Sequence, residues 1–412
     1  MAVGTFERDC DVIVKTIYRR NGIRTIRSFV NSVDRVQGFM VCVLGQADQG
    51  VGPSWSDLLW AEQLYSSSMS IYRMATQMSP ANEVSARAVA AVVGSLVADS
   101  AAQGLHWVYD LEKLDAAVGG EDPEFHSPSA CPFYTTDTGT NTAYGDQAFV
   151  VLESLAECKG LDVNDLKQRF YKFFGPGTAF DTGDQKSRPI KGPWRNGSIK
   201  AFLASMEAKK EDTGSDTDTQ ADGAAKVAPL VALYAGQPDM LAKVEAAVRV
   251  TQKHPVALSA ALANARILEA FILHGKSEGV MEALMEELGK KEGQGITGQD
   301  ETVLKQVGEV QEQKPLGKPH REVVNKVFGS SCALPKQFQA ALHCVVTNTD
   351  YTSAVRATIL AGGDNASRAC FIGACFGALG GLDGIPTEWK EKCTRYQAVL
   401  SLAQTLAAVR ES

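Results

Sequence analysis

The chain has 412 residues, 44% of them hydrophobic, enough to build a substantial core in one large domain or two. Its formal net charge is −7, from 41 basic and 48 acidic residues, a balance that argues against nucleic acid as a partner. The nine cysteines are odd in number, dispersed and never spaced Cys-x-x-Cys, which argues against a disulfide framework or a zinc ribbon and for reduced thiols in the cytoplasm. No run of about 18 apolar residues and no secretory leader is evident, so neither membrane spanning nor export is expected.

In chain order, residues 1–83 read as an N-terminal extension, partly helical or disordered. Arginines stand at 8, 19, 20, 24, 27 and 35, but Glu7, Asp9 and Asp11 oppose an organelle-targeting reading without excluding it. The stretch 57–78 is helix-like. Ser79-Pro80 has the form of an N-cap followed by proline in the first turn, opening a helix through Ala90, Gly94, Ala98 and Ala102. These small residues, four apart, predict close packing against another helix, namely the one that follows Asp364.

Residues 111–143 are rich in Pro, Ser, Thr, Gly and Asp and read as a long loop, followed by a helix over 145–159. The acidic, polar stretch 209–222 reads as a solvated linker. Alanine- and leucine-rich helices are predicted over 224–235, 238–252, 255–274, 277–290, 335–347, 351–360 and 366–380, with 289–320 as an exposed connection. Clean alternating strands are absent, so the fold class is all-α. The main domain is placed at 84–400 and a C-terminal tail at 401–412.

The densest chemical signal is Ala361-Gly362-Gly363-Asp364-Asn365-Ala366-Ser367-Arg368-Ala369. Two glycines permit a tight turn, and the helix behind them offers unpaired N–H groups. The segment is either a ligand corner or a loop capping a tightly packed helix, in which Ala369, Gly373 and Gly377 share one face.

Taken with Gly384-Ile385-Pro386-Thr387-Glu388-Trp389, Ala224-Ala225-Lys226-Val227-Ala228-Pro229-Leu230, Val97-Ala98-Asp99-Ser100, Tyr144-Gly145-Asp146-Gln147 and Thr251-Gln252-Lys253-His254-Pro255, this segment resembles the ADP-ribosylglycohydrolase family. The likeness runs in consistent order over residues 84–395 and is greatest to the branch with selenoprotein J and the J-type lens crystallins. It implies an orthogonal multi-helix bundle with a cleft that holds two magnesium ions, and a small-molecule or protein-linked ADP-ribose-like ligand. Hard magnesium favours oxygen donors such as those of the family's Thr-Asp-Asp-Thr and Gly-Gly-Asp-Thr-Asp-Thr/Ser motifs.

This sequence departs from both motifs. The metal ligands carried over by the resemblance are Asp146, Asp364 and the Ser367 hydroxyl, with Gln147 and Asn365 offering neutral amide oxygens and Ala366 offering none. His106 stands near the position where the family often has a glutamate and is either a general acid or base alongside Asp146 and Asp364 or a packed histidine beside Trp107. Gly362, Gly363, Asn365 and Arg368 are the expected substrate contacts, Arg368 through a bidentate phosphate bond or, instead, as an ion pair at a helix start. Ser215-Asp216-Thr217-Asp218-Thr219 imitates the missing pattern at a different place in the order, and Asp222-Gly223 stands at the family's Asn-Gly turn. The implied activity is hydrolysis of an ADP-ribosyl or related glycosidic bond at a magnesium site weakened by lost charge. The alternative is a noncatalytic, crystallin-like structural or ligand-binding protein.

Overall fold

The computed structural model describes residues 80–181, 186–289 and 300–411. Val84–Ser412 forms one unit, separate from Met1–Glu83; the expected extension and the helix over 57–78 lie outside the described residues. The fold is all-α, its strands among the described residues being the two-residue parallel pair β1 (Tyr134–Thr135) and β2 (Ile190–Lys191).

Two long helices form the centre. Helix α1 (Pro80–Ala102) is apolar nearly all round, with Val92, Val93, Leu96 and Ala98 wholly buried. It meets α15 (Asn365–Gly384) through the small residues of both stripes. A Cβ on Gly94 would overlap the Gly373 carbonyl oxygen, and one on Gly377 would overlap that of Ala90. Backbone-to-backbone contact of this kind admits no side chain, so the glycines are required by the approach itself. Tyr351 adds a hydrogen bond to the Gly94 carbonyl at 2.7 Å.

Around α15 pack α9 (Pro255–His274), α13 (Lys336–Thr347) and α14 (Tyr351–Leu360). Helix α9 matches its predicted bounds because its signals are local. The His254 side chain accepts the Val256 N–H, Pro255 occupies the first turn, and Gly275 ends the helix at φ 62°. The segments 82–105 and 255–274 are long and apolar enough to cross a membrane by composition. The first is buried throughout and the second mostly, so their apolar surface is spent on packing.

Four expectations are corrected. The loop 111–143 contains α2 (Leu111–Val118), capped by the Asp110 carboxylate, as well as β1. The predicted helix 224–235 is broken into α6 (Asp222–Ala225) and α7 (Ala228–Tyr234), the second carrying Pro229 in its first turn, where the missing N–H cannot continue an earlier turn. The connection 289–320 contains α11 (Asp300–Gln313), where Val303, Val307 and Val310 bury one face. The expected tail belongs to α17 (Tyr396–Glu411), which buries Val399, Ala403 and Leu406 and packs on α3 (Ala143–Cys158) and α7.

Candidate active site

The glycine loop is a joint between elements. Gly362 and Gly363 adopt φ 73° and 62°, and Gly363 exchanges backbone hydrogen bonds with residues 107 and 108: Trp107 N–H to Gly363 O and Gly363 N–H to Val108 O, both 2.8 Å. The Asp364 N–H donates to Ser330 O at 2.7 Å and that of Gly362 to Ile359 O. A cradle for phosphate needs such N–H groups unspent, and at Gly362 and Gly363, the expected substrate contacts, both N–H groups are bonded within the chain. Arg368, expected at a phosphate or in an ion pair, is likewise bonded internally. Fully buried, it donates to Thr358 Oγ1 (2.9 Å), Gly362 O (2.5 Å), Thr358 O and Ser330 O, and so braces the loop. Asn365 donates to Leu105 O at 3.1 Å while its amide oxygen, also buried, has no partner.

This joint sets Asp364 against His106. The His106 Nε2 lies 2.8 Å from Asp364 Oδ1, and its Nδ1 lies 2.9 Å from the Tyr134 hydroxyl. Tyr144 donates to Asp364 Oδ2 at 2.9 Å, and Ser367 to the same oxygen at 3.0 Å. Gln337 donates in turn to Ser367 Oγ. Burial alone would raise the Asp364 carboxyl, but the hydrogen bond from His106, with the charge of Arg368 and the hydrogen bond from Tyr144, holds it below the usual carboxylate range. An ionised Asp364 makes His106 Nε2 the protonated ring nitrogen, leaving Nδ1 to accept from Tyr134. The result is a Tyr134–His106–Asp364 proton chain.

Asp146, in the first turn of α3, takes a different partner. Its Oδ1 lies 2.5 Å from Arg395 Nη1, and the guanidinium sits 4.9 Å and 5.5 Å from the Phe149 and Phe173 ring centroids. Burial pushes the Asp146 carboxyl up to about 6, against the pull of Arg395. At the adjoining position a Cβ on Gly145 would overlap Asp99, whose carboxylate accepts from Asn141 and from Thr142, the residue that caps α3. Gln147 donates to Asp222 Oδ1 at 2.7 Å and accepts from the buried Lys226 Nζ at 2.8 Å. Asn196 and Ser198 also donate to Asp222 Oδ1, whereas Asp222 Oδ2 is buried without a partner. Burial first, and then Asp218, raises the Asp222 carboxyl; burial lowers Lys226 to about 8.

The donor set does not fit a two-magnesium centre. Asp146 is occupied by a guanidinium, Asp364 by a histidine and a phenol, and Gln147 by an ammonium. Among the described residues no group of three or more His, Cys, Asp or Glu side chains is placed to hold a metal ion. The polar stretch 209–222 is solvated in part, with 209–212, Asp216 and Thr217 exposed, and is anchored to the body at other points. Thr213 is buried, Ser215 bridges to Gln252, and Asp218 Oδ1 accepts from Gln252 Nε2.

Beside this closed centre lies a cavity of about 260 Å³ lined by Trp107, Tyr109, Phe133, Trp194, Asn196 and Lys200, among others. Trp107 is the shared wall, stacked on His106 with ring centroids 4.3 Å apart. Tyr109 and Phe133 are 42% and 37% exposed, an uncovered apolar surface at the mouth. Lys200, which lines the cavity, lies 5.0 Å from the Trp194 ring centroid, and Arg195 adds a second basic side chain to the lining.

Sequence reasoning missed Arg395, Trp194, Tyr134 and the role of Lys226. Lys226 stood inside a quoted motif and Tyr144 at a motif threonine, so both were findable; Arg395 carries no local signal. A family model described as ADP-ribosylglycohydrolase matches residues 80–412. Crystallin J1A of Tripedalia cystophora is 36% identical over 323 residues, covering 78% of this chain and 96% of its own. The ADP-ribosylhydrolase ARH3 of Homo sapiens is 23% identical, covering 74% and 87%. A solved structure titled ADP-ribosylglycohydrolase-related protein complex has a TM-score of 0.54 at 19% identity, covering 80% of this chain and 99% of its own, a likeness of fold.

Proposed function

Because the chain belongs to the ADP-ribosylglycohydrolase family, we propose that it binds an ADP-ribosyl or related glycosidic ligand in the aromatic cavity and hydrolyses its glycosidic bond through His106 and Asp364. The observation that supports this most is the shared wall. An aromatic cavity with basic side chains in its lining suits a nucleobase and its phosphates, and it is separated from the His106–Asp364 pair by the Trp107 ring.

In this reading the reacting water takes the place of the Tyr134 hydroxyl at His106 Nδ1 and gives that nitrogen a proton as its oxygen bonds to the anomeric carbon and the departing group leaves with the electron pair of the glycosidic bond, while Asp364 balances the imidazolium charge. The Trp107 indole, stacked on the imidazole face, must turn aside to admit the ligand. No step passes through magnesium, since the donors carried over for it have other partners. Asp146 serves here as a structural carboxylate on Arg395 rather than as a catalytic one.

A second reading, a noncatalytic binding or crystallin-like role, is favoured by one specific feature: both His106 nitrogens and both Asp364 oxygens have internal partners. Chromatographic assay of ADP-ribose release from an ADP-ribosylated peptide separates the two. Saturable turnover by the full chain, abolished in His106→Ala, is the hydrolase outcome; binding without turnover is the other.

A further inference from the structure

We infer that this centre carries its counter-cations within the chain, with Arg395 and Lys226 standing at the donors that the family resemblance would give to divalent ions, so that it takes up no divalent cation. The inference holds whether or not a cavity ligand is turned over.

The Asp146 side chain is 5% exposed, and a buried carboxylate needs a positive partner to stay ionised. Arg395 provides it, entering from the turn before α17 at 2.5 Å. The guanidinium also lies near the Phe149 and Phe173 rings, so its position is set by packing as well as by charge. A cation bound at Asp146 would have to displace that group from the carboxylate and from both rings.

The neighbouring oxygen is closed in the same way. Lys226 Nζ, wholly buried, sits 2.8 Å from the Gln147 amide oxygen and 2.5 Å from Thr251 Oγ1, with the Phe170 ring 5.3 Å away. A second acid cannot simply be restored between them, because a side chain at Gly145 collides with the Asp99 carboxylate. The third donor, Asp364, accepts from His106, Tyr144 and Ser367, three of the roughly four hydrogen bonds a carboxylate takes. Three of the carried-over donors, Asp146, Gln147 and Asp364, are thus engaged by partners within the chain.

Calorimetric titration of MgCl2 into the full chain, with MnCl2 uptake followed by electron paramagnetic resonance, tests this without any nucleotide. The wild type and Arg395→Lys are expected to show no saturable uptake in the millimolar range. Arg395→Met, which keeps an apolar stem beside the two rings, is expected to gain manganese affinity by about tenfold or more, because one uncompensated carboxylate is returned to the site. Saturable uptake by the wild type that disappears in Asp146→Asn overturns the inference, and so does an Arg395→Met variant, folded by circular dichroism, that is as silent as the wild type. If Arg395→Met does not fold, the wild-type and Arg395→Lys titrations still decide.

Discussion

The centre around Asp364 and the cavity beside it share one wall and obey opposite rules. On one side of Trp107 the functional groups face inward: Asp364, His106, Asp146 and Gln147 are each buried and each bonded within the chain. On the other side Tyr109 and Phe133 face outward and Lys200 lies over an aromatic ring at a cavity of about 260 Å³. A closed polar network stabilises a fold, whereas an uncovered aromatic concavity is where binding free energy is still to be gained. Substitutions on the two sides should therefore separate stability from ligand binding.

The largest effect belongs to the closed side. Asp364→Ala strips His106 and Tyr144 of a buried charged partner and should cost about 3–5 kcal/mol in urea denaturation; a loss under ~1 kcal/mol would show that the network is not tight. Next is acid. His320 and His343 are buried with Nδ1 atoms 3.1 Å apart, and burial holds both below the usual histidine value, His343 at about 4. A depressed folded value means stability present above the unfolded value, about 6.5, and lost as pH falls toward 4. The melting temperature should decline through that window, and His320→Leu/His343→Leu should flatten the decline.

On the cavity side, Trp194→Ala removes the aromatic floor and should weaken ADP-ribose by about tenfold, close to the ~1–3 kcal/mol of a base–aromatic stack. Lys200→Ala should weaken it by only about threefold, more at low salt than at high, as for one partly screened charge. Equal binding by both variants and wild type, measured calorimetrically, would move the ligand elsewhere.

Much of the fold was legible because its signals are local. The stripe Ala90, Gly94, Ala98 and the glycines of α15 led to the right helix pair, and the helix expected over 255–274 has those bounds as α9. What failed in whole or in part was judged by composition alone. The polar stretch 209–222 read as solvent-facing, yet part of it is held by Gln252, 34 residues from Asp218; α11 hid in a Gly- and Lys-rich segment whose three valines carry the burial. In the site, the family motifs led to Asp146, Asp364 and His106 but not to their partners. Arg395 lies 249 residues from Asp146, and no spacing rule reaches that far. The glycine loop taught the converse: the turn was read correctly, and its N–H groups were spent on Val108 and Ser330 rather than on a ligand.

The central claim is that the cavity, and not a metal centre, takes the ligand. Its most direct test is calorimetric titration of ADP-ribose into the full chain in EDTA, repeated with excess magnesium. Saturable binding of equal affinity in both conditions is the result expected; binding that appears only with magnesium, or no binding in either, would contradict it.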